Sequence, residues 1–146
     1  MMKSFKCLVT CSTLAFFSLC SSNVFGSPYT WEVVRVTDGD TIVVKAPWIL
    51  PELGTTISIR VYGIDTPEKG KLAKCAREAQ LADLASGYTK GLIRVGDTVD
   101  VTNIRRDKYF RLLGSVSVDG KDLGAALIDA GFARPYYGKT KSNWCR

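Results

Sequence analysis

Histidine is absent from all 146 residues of the chain. That absence removes Ser-His-Asp and Cys-His nucleophilic chemistry, zinc sites of the HExxH kind, and nucleases that depend on a histidine acid or base. Any catalysis must run on carboxylates, arginine, lysine, tyrosine or a metal ion. Internal repeats and low-complexity stretches are missing too, which leaves an ordinary folded domain. Cysteine is scarce beyond the N-terminal region: Cys7, Cys11 and Cys20 lie in the first 26 residues, and only Cys75 and Cys145 follow.

Those first 26 residues read as an address rather than as fold. Lys3 and Lys6 precede an apolar run containing Ser and Cys, Cys7 to Cys20, and small or tolerated residues lead to Gly26. This is the pattern of a secretory signal peptide cleaved after Gly26. The run falls short of the roughly 20 residues that a spanning helix needs, so no stable membrane anchor is expected after cleavage. Leu19 is a poor residue to precede a lipidated Cys20. The expected layout is a signal peptide over 1–26 and one domain over 27–146, a monomer that is exported and either periplasmic or secreted. An even pair of cysteines in an exported chain suggests one disulfide, Cys75 to Cys145. Removing Lys3 and Lys6 from the 20 basic residues leaves 18 against 14 acidic, a net charge of +4. A balance of that size permits attraction to polyanions without requiring it.

Trp31–Val36 and Ile42–Ala46 are β-rich runs flanking Thr37-Asp38-Gly39-Asp40-Thr41, and Asp-Gly between such runs signals a hairpin. Pro47 to Gly54 reads as a loop. A third strand over Thr55–Ile64 sets Ile57, Ile59 and Val61 on one face and Ser58, Arg60 and Tyr62 on the other. Lys71–Leu92 carries helical spacings of Ala, Leu and Tyr, stopping near Gly91. Thr98–Thr102 and Arg111–Val118 are further strands, and Leu123–Ala130 a short helix capped by Gly131. The fold class is therefore α+β, mainly β: a five-stranded OB-type antiparallel barrel with a helix between strands three and four and a short C-terminal helix.

The polar residues cluster at strand ends. Asp40 opens strand two and Asp65 closes strand three, so the two carboxylates converge if those strands pair, and converging hard oxygens suit Ca²⁺ or Mg²⁺. Arg60 and Asp65 are five residues apart and would fall on opposite faces of a regular strand; Gly63 is where the pleat must break. Pro67 restricts Thr66 and holds its carbonyl in a loop beside the metal. Glu68 is the leading candidate to orient or deprotonate a water in a chain without histidine. Arg60 and Arg111 offer forked donors for phosphate. Lys108 and Tyr109 suit a second phosphate and a stacked base. Each piece alone has an ordinary explanation: a turn, a helix cap or a surface charge. Their joint occurrence, in order and at strand ends, points to chemistry.

Asp38-Gly39-Asp40-Thr41, Arg60 with Asp65-Thr66-Pro67-Glu68, Asp107-Lys108-Tyr109 with Arg111, and Asp119-Gly120 leading into Ala125–Ala133 together resemble the thermonuclease family, the staphylococcal-nuclease-like domain. The resemblance runs from about Glu32 to Tyr137. It implies an OB-type barrel that hydrolyses DNA and RNA phosphodiesters with Ca²⁺ and leaves 3′-phosphorylated ends. By position it implies Asp40, Asp65 and the Thr66 carbonyl as calcium ligands, Asp38 as an outer-shell carboxylate, and Arg60, Glu68 and Arg111 as catalytic residues. Tyr136 and Tyr137 are equally open to base stacking and to simple packing. The tail from Lys139 to Arg146 is expected to pack through Trp144 and the Cys75 bridge, and Phe110 stands where the family often has glycine. A non-catalytic nucleic-acid-binding barrel is the alternative, although clustered carboxylates repel phosphate.

Overall fold

Apolar and polar residues alternate along strand β1 (Tyr29–Asp38), burying Trp31 and Val33; the rhythm then slips so that Val36 is the next inward residue. The slip coincides with a register shift between Val33 and Arg35. A bulge of this kind bends a strand, and β1 needs the bend because it pairs with two neighbours. Tyr29–Glu32 lie against β5 (Thr98–Arg106), while Val33–Asp38 lie against β2 (Thr41–Lys45). The computed structural model in which this is seen describes residues 28–47, 52, 54–109 and 111–146. The expected signal peptide, most of the Pro47–Gly54 loop and Phe110 lie outside the described residues.

The remaining elements are β3 (Thr56–Val61), β4 (Ile64–Asp65), helix α1 (Ala76–Leu92), β6 (Leu112–Val118), β7 (Lys121–Asp122), helix α2 (Leu123–Asp129) and β8 (Arg134–Pro135). Hydrogen bonding runs β3-β2-β1-β5-β6, and β6 returns to β3 to close a five-stranded barrel of the expected OB type. The seam between β3 and β6 is parallel. An odd number of strands cannot alternate direction all the way round, so one parallel pair is unavoidable. Inward valines and isoleucines from every barrel strand, with Ile93, Leu123 and Leu127, form one core. Each such side chain removed from water stabilises the fold by about 1.5–3 kcal/mol.

Two boundaries and one added element stand out against the sequence expectation. The helix begins at Ala76 rather than Lys71, because Gly70–Leu72 is a separate 3₁₀ turn and Cys75 caps α1. The fourth strand continues to Arg106, past Asn103 in the left-handed region (φ 52°) and a register shift. Asparagine tolerates that conformation better than most residues, so the bulge does not end the strand. Beyond α2 the chain adds β8, which pairs antiparallel with β4, placing Arg134 opposite Asp65. Cys75 and Cys145 are joined by a disulfide across 70 residues. Closing a loop of that length is worth about 4 kcal/mol in the chain-entropy account.

Helix α1 lies on the barrel through small residues, Ala82, Ala85, Ser86 and Thr89, while Leu84 of the expected apolar stripe is exposed. Small residues let the helix approach the β1–β2 turn closely. A Cβ placed on Gly39 would stand 2.9 Å from the Ala85 Cβ and 3.1 Å from the Thr66 Cγ2. Gly39→Ala is therefore expected to cost about 1–3 kcal/mol through overpacking. Urea unfolding of the two proteins measures it, and an unchanged midpoint would contradict so tight a contact.

Candidate active site

The β1–β2 turn delivers Asp40. Its neighbour Gly39 is pinned by the Thr89 hydroxyl, which donates to the Gly39 carbonyl at 2.7 Å. The Val61 amide of β3 donates to the Asp40 carbonyl at 2.8 Å. Asp65 arrives by a different route. Gly63, at φ +83°, turns the chain after β3, and the short β4 that follows is held in place by β8. The pleat does break at Gly63, as the five-residue spacing of Arg60 and Asp65 demands.

These two routes bring the carboxylates together: Asp40 is 1% and Asp65 2% exposed. Two anions buried side by side require positive charge or donors. Arg60 supplies both, with its fork on Asp40 (Nη2–Oδ2 2.8 Å, Nη1–Oδ1 3.0 Å) and Nη2 3.4 Å from Asp65 Oδ1. The Thr41 hydroxyl and the Thr66 amide also donate to Asp40, at 3.0 and 3.4 Å. Burial, the largest influence, still lifts the Asp40 carboxyl above its usual 3.8, because Arg60 and the donors offset only part of the desolvation. One guanidinium faces two carboxylates, so Arg60 alone leaves the pair short of positive charge.

Lys141, from the C-terminal tail, makes up part of that deficit. Its ammonium lies 2.9 Å from Asp65 Oδ1 and 2.5 Å from Glu68 Oε1. Desolvation pulls the Lys141 pKa down, but bonds to Asp65 and Glu68 outweigh it and leave the group above 10.5. Glu68 sits at the rim, about one third exposed, on the loop that joins β4 to α1. Asp65 ends β4 and Thr66 to Glu68 form an irregular segment, so this stretch does not start a helix.

Arg111 enters from the opposite side. Asp107 organises its turn by accepting from the Tyr109 amide (2.8 Å), the Arg111 amide (3.0 Å) and Arg111 Nε (2.7 Å). Desolvation opposes ionisation of Asp107, yet the Arg111 and Tyr109 hydrogen bonds outweigh it and hold the carboxyl below 3.8. Two adjoining hollows, of about 350 and 700 Å³, are both lined by Arg60, Lys108, Tyr109, Arg111 and Tyr136. The larger also meets Asp38, Glu68 and Lys141. The smaller meets Tyr137, which is exposed and stands edge-on to Tyr62 at 5.8 Å. Lys108 and Arg111 lie over the Tyr109 ring at 5.0 and 5.6 Å. Asp38 stands apart from the buried pair, 3.8 Å from Lys69.

The donor set fits a hard divalent cation. Among the described residues no three Asp, Glu or Cys side chains form a self-sufficient cage. A cation held by Asp40 and Asp65 would keep most of its positions for other oxygens, water and phosphate among them, as hard cations accept. Arg60, expected to offer its fork to phosphate, has that fork on Asp40 as its counter-ion.

Several contributors went unread in the sequence. Lys141 and Trp144, whose indole N–H lies 3.4 Å from Asp65 Oδ2, reach the site only through the tail's return path. Glu78 is 3% exposed and accepts from the Lys74 amide at 2.7 Å and the Glu68 amide at 3.4 Å. An acidic residue in a helix's first turn was the available signal, but its hold on the Glu68 loop was not.

The sequence profile described as "Staphylococcal nuclease homologue" matches residues 58–144. Endonuclease YhcR of Bacillus subtilis (strain 168) is 40% identical over 115 residues, 75% of this chain and 9% of the relative. An uncharacterized endonuclease of Escherichia coli O157:H7 is 35% identical over 105 residues, 71% of this chain and 59% of the relative. Endonuclease YncB of Bacillus subtilis (strain 168) is 37% identical over 109 residues, 70% of this chain and 46% of the relative. The chain thus spans less than two thirds of each of these relatives' own length.

Glu78→Ala leaves the Lys74 and Glu68 amides without their acceptor. A loss of about 1–3 kcal/mol is expected, with faster amide exchange confined to the segment between Glu68 and Cys75. Hydrogen exchange that rises instead over the whole barrel would argue against a local role.

Proposed function

The chain belongs to the staphylococcal nuclease homologue family, and on that footing we propose that it is an exported, calcium-dependent, sugar-nonspecific endonuclease. It hydrolyses DNA and RNA to 3′-phosphorylated products. The observation that carries this reading is the meeting of buried Asp40 and Asp65 with Arg60 behind a groove that Glu68 and Arg111 also line. A cation bound between the two carboxylates would supply the further positive charge that a phosphate needs to approach them.

Asp40, Asp65 and the Thr66 carbonyl would hold Ca²⁺, which when bound supplies Lewis-acid polarisation of a phosphate oxygen. Glu68 orients the attacking water and accepts its proton at a carboxylate oxygen. Its Oε1 is engaged by Lys141, whose side chain is 39% exposed and has room to yield as substrate arrives. Arg60 and Arg111 set forked donors against the phosphate oxygens as charge grows on them. Water bonds to phosphorus as the bond between phosphorus and O5′ breaks; O5′ takes up a proton from solvent and leaves as a 5′-hydroxyl on the downstream fragment, and the phosphate stays on O3′ of the upstream one. Lys108 holds a neighbouring phosphate, and Tyr109 and Tyr137 offer faces to flanking bases. Asp38 acts from the outer shell. Residues 1–26 would direct the chain out of the cytoplasm and be removed, leaving no stable membrane anchor; among the described residues no helix is long and apolar enough to cross a membrane.

A non-catalytic nucleic-acid-binding barrel has one observation in its favour, since Lys141 already neutralises Asp65 and Glu68 in part. It offers no reason to bury two carboxylates beside a phosphate groove. Release of acid-soluble nucleotides from DNA and RNA, in Ca²⁺, Mg²⁺ and chelator, separates the readings. The nuclease reading expects activity in Ca²⁺ and none in chelator. Arg60→Ala and Arg111→Ala should each lose about 10²–10³-fold, and Glu68→Gln about 10²–10⁴-fold. Near-wild-type turnover by Arg60→Ala and Glu68→Gln would take these residues out of the reaction.

A further inference from the structure

The C-terminal tail reaches the carboxylate pair at two points, Lys141 and Trp144, and three separate restraints act on Trp144 and its two chain neighbours. Trp144 is 4% exposed. The Arg134 guanidinium lies 4.1 Å from its ring centroid and also donates to the Asn143 carbonyl at 3.1 Å. Arg134 itself is in register opposite Asp65 across the β4–β8 pair. The next residue, Cys145, is bonded to Cys75, the N-cap of α1. Ring, backbone and covalent link thus fix the indole with its N–H directed at Asp65 Oδ2, 3.4 Å away.

Asp65 divides its two oxygens between different partners. Oδ1 faces the cations, Lys141 at 2.9 Å and Arg60 at 3.4 Å, and Oδ2 faces Trp144. A carboxylate can rotate about its last side-chain bond unless something holds one oxygen. An indole N–H donates and cannot accept, so it commits Oδ2 and aims Oδ1 at the centre of positive charge. Partners of this outer kind commonly set ligand orientation at metal sites, and their loss costs about 10–100-fold in metal affinity.

We infer that Trp144 is a positioning residue for Asp65 and that the Cys75–Cys145 disulfide holds it in place. The cation affinity of the site therefore depends on a covalent bond outside it. This rests on the calcium site proposed above. It adds that the tail is part of the site, and that reducing conditions weaken cation binding.

Calorimetric titration of Ca²⁺ into the full-length protein reads this without reference to turnover. Trp144→Phe keeps an aromatic face for Arg134 and removes the N–H donor together with part of the ring's buried volume. It should raise the Ca²⁺ dissociation constant about 10-fold or more, raise the half-saturating Ca²⁺ for hydrolysis in parallel, and leave the KM for DNA at saturating Ca²⁺ unchanged. Cys75→Ser/Cys145→Ser, and the wild type treated with dithiothreitol, should show a matching weakening; dithiothreitol should not alter the double variant further. Trp144→Phe that binds Ca²⁺ like the wild type, with only a lower Tm, would overturn the inference and leave the nuclease reading standing. Unaltered Ca²⁺ affinity on reduction would overturn the role of the disulfide, even if the Phe variant did not fold. Absence of Ca²⁺ binding by the wild type would overturn both this and the reading on which it rests.

Discussion

Two carboxylates held out of water within reach of one another are the constraint that organises this molecule. Desolvation strongly disfavours such a pair unless positive charge is brought close. Arg60 comes from the strand that ends beside them, and Lys141 from a tail that must fold back across the barrel to arrive. The close seating of α1 on the Gly39 turn and the bend at Gly63 follow from the same requirement, since both serve to deliver an aspartate to this point. Even so, burial keeps the Asp40 carboxyl above its ordinary pKa, because the guanidinium and the neighbouring donors offset only part of the desolvation.

The acidic residues around the groove divide into three kinds by environment. Asp40 and Asp65 are buried against guanidinium and ammonium groups. Glu78 and Asp107 accept from backbone amides and hold the loops that carry Glu68 and Arg111. Glu68 and Asp38 face the groove, where solvent and substrate meet. One residue type thus supplies ligands, loop anchors and groove-facing groups, and only the number of donors and the depth of burial separate these roles.

Much of this was legible in the linear chain because it depends on neighbours in sequence. Strand alternation, turn residues such as Gly39 and Gly120, and the glycine after α2 are short-range signals, and they yielded the barrel class and the order of elements. The grouping of Asp40, Arg60, Asp65, Glu68 and Arg111 was legible for a related reason: each sits at or near a strand end, and the strands of a small barrel can meet in few ways. The start of α1 was misplaced because a 3₁₀ turn shares helical composition. The full length of β5 was missed because a left-handed Asn103 lets a strand continue through a bulge.

What the sequence alone determined, then, was the set of chemical groups and the barrel that gathers them, since hydrophobic periodicity and turn chemistry act over a few residues. Tertiary structure decided which charges neutralise which. Arg60 binds Asp40 rather than standing free, Lys141 bridges Asp65 and Glu68, and Trp144 turns toward Asp65. These contacts join residues between 20 and 79 positions apart, where no local pattern can specify a partner. Burial is what selects them, because a buried charge takes whichever counter-charge the packed chain brings within reach.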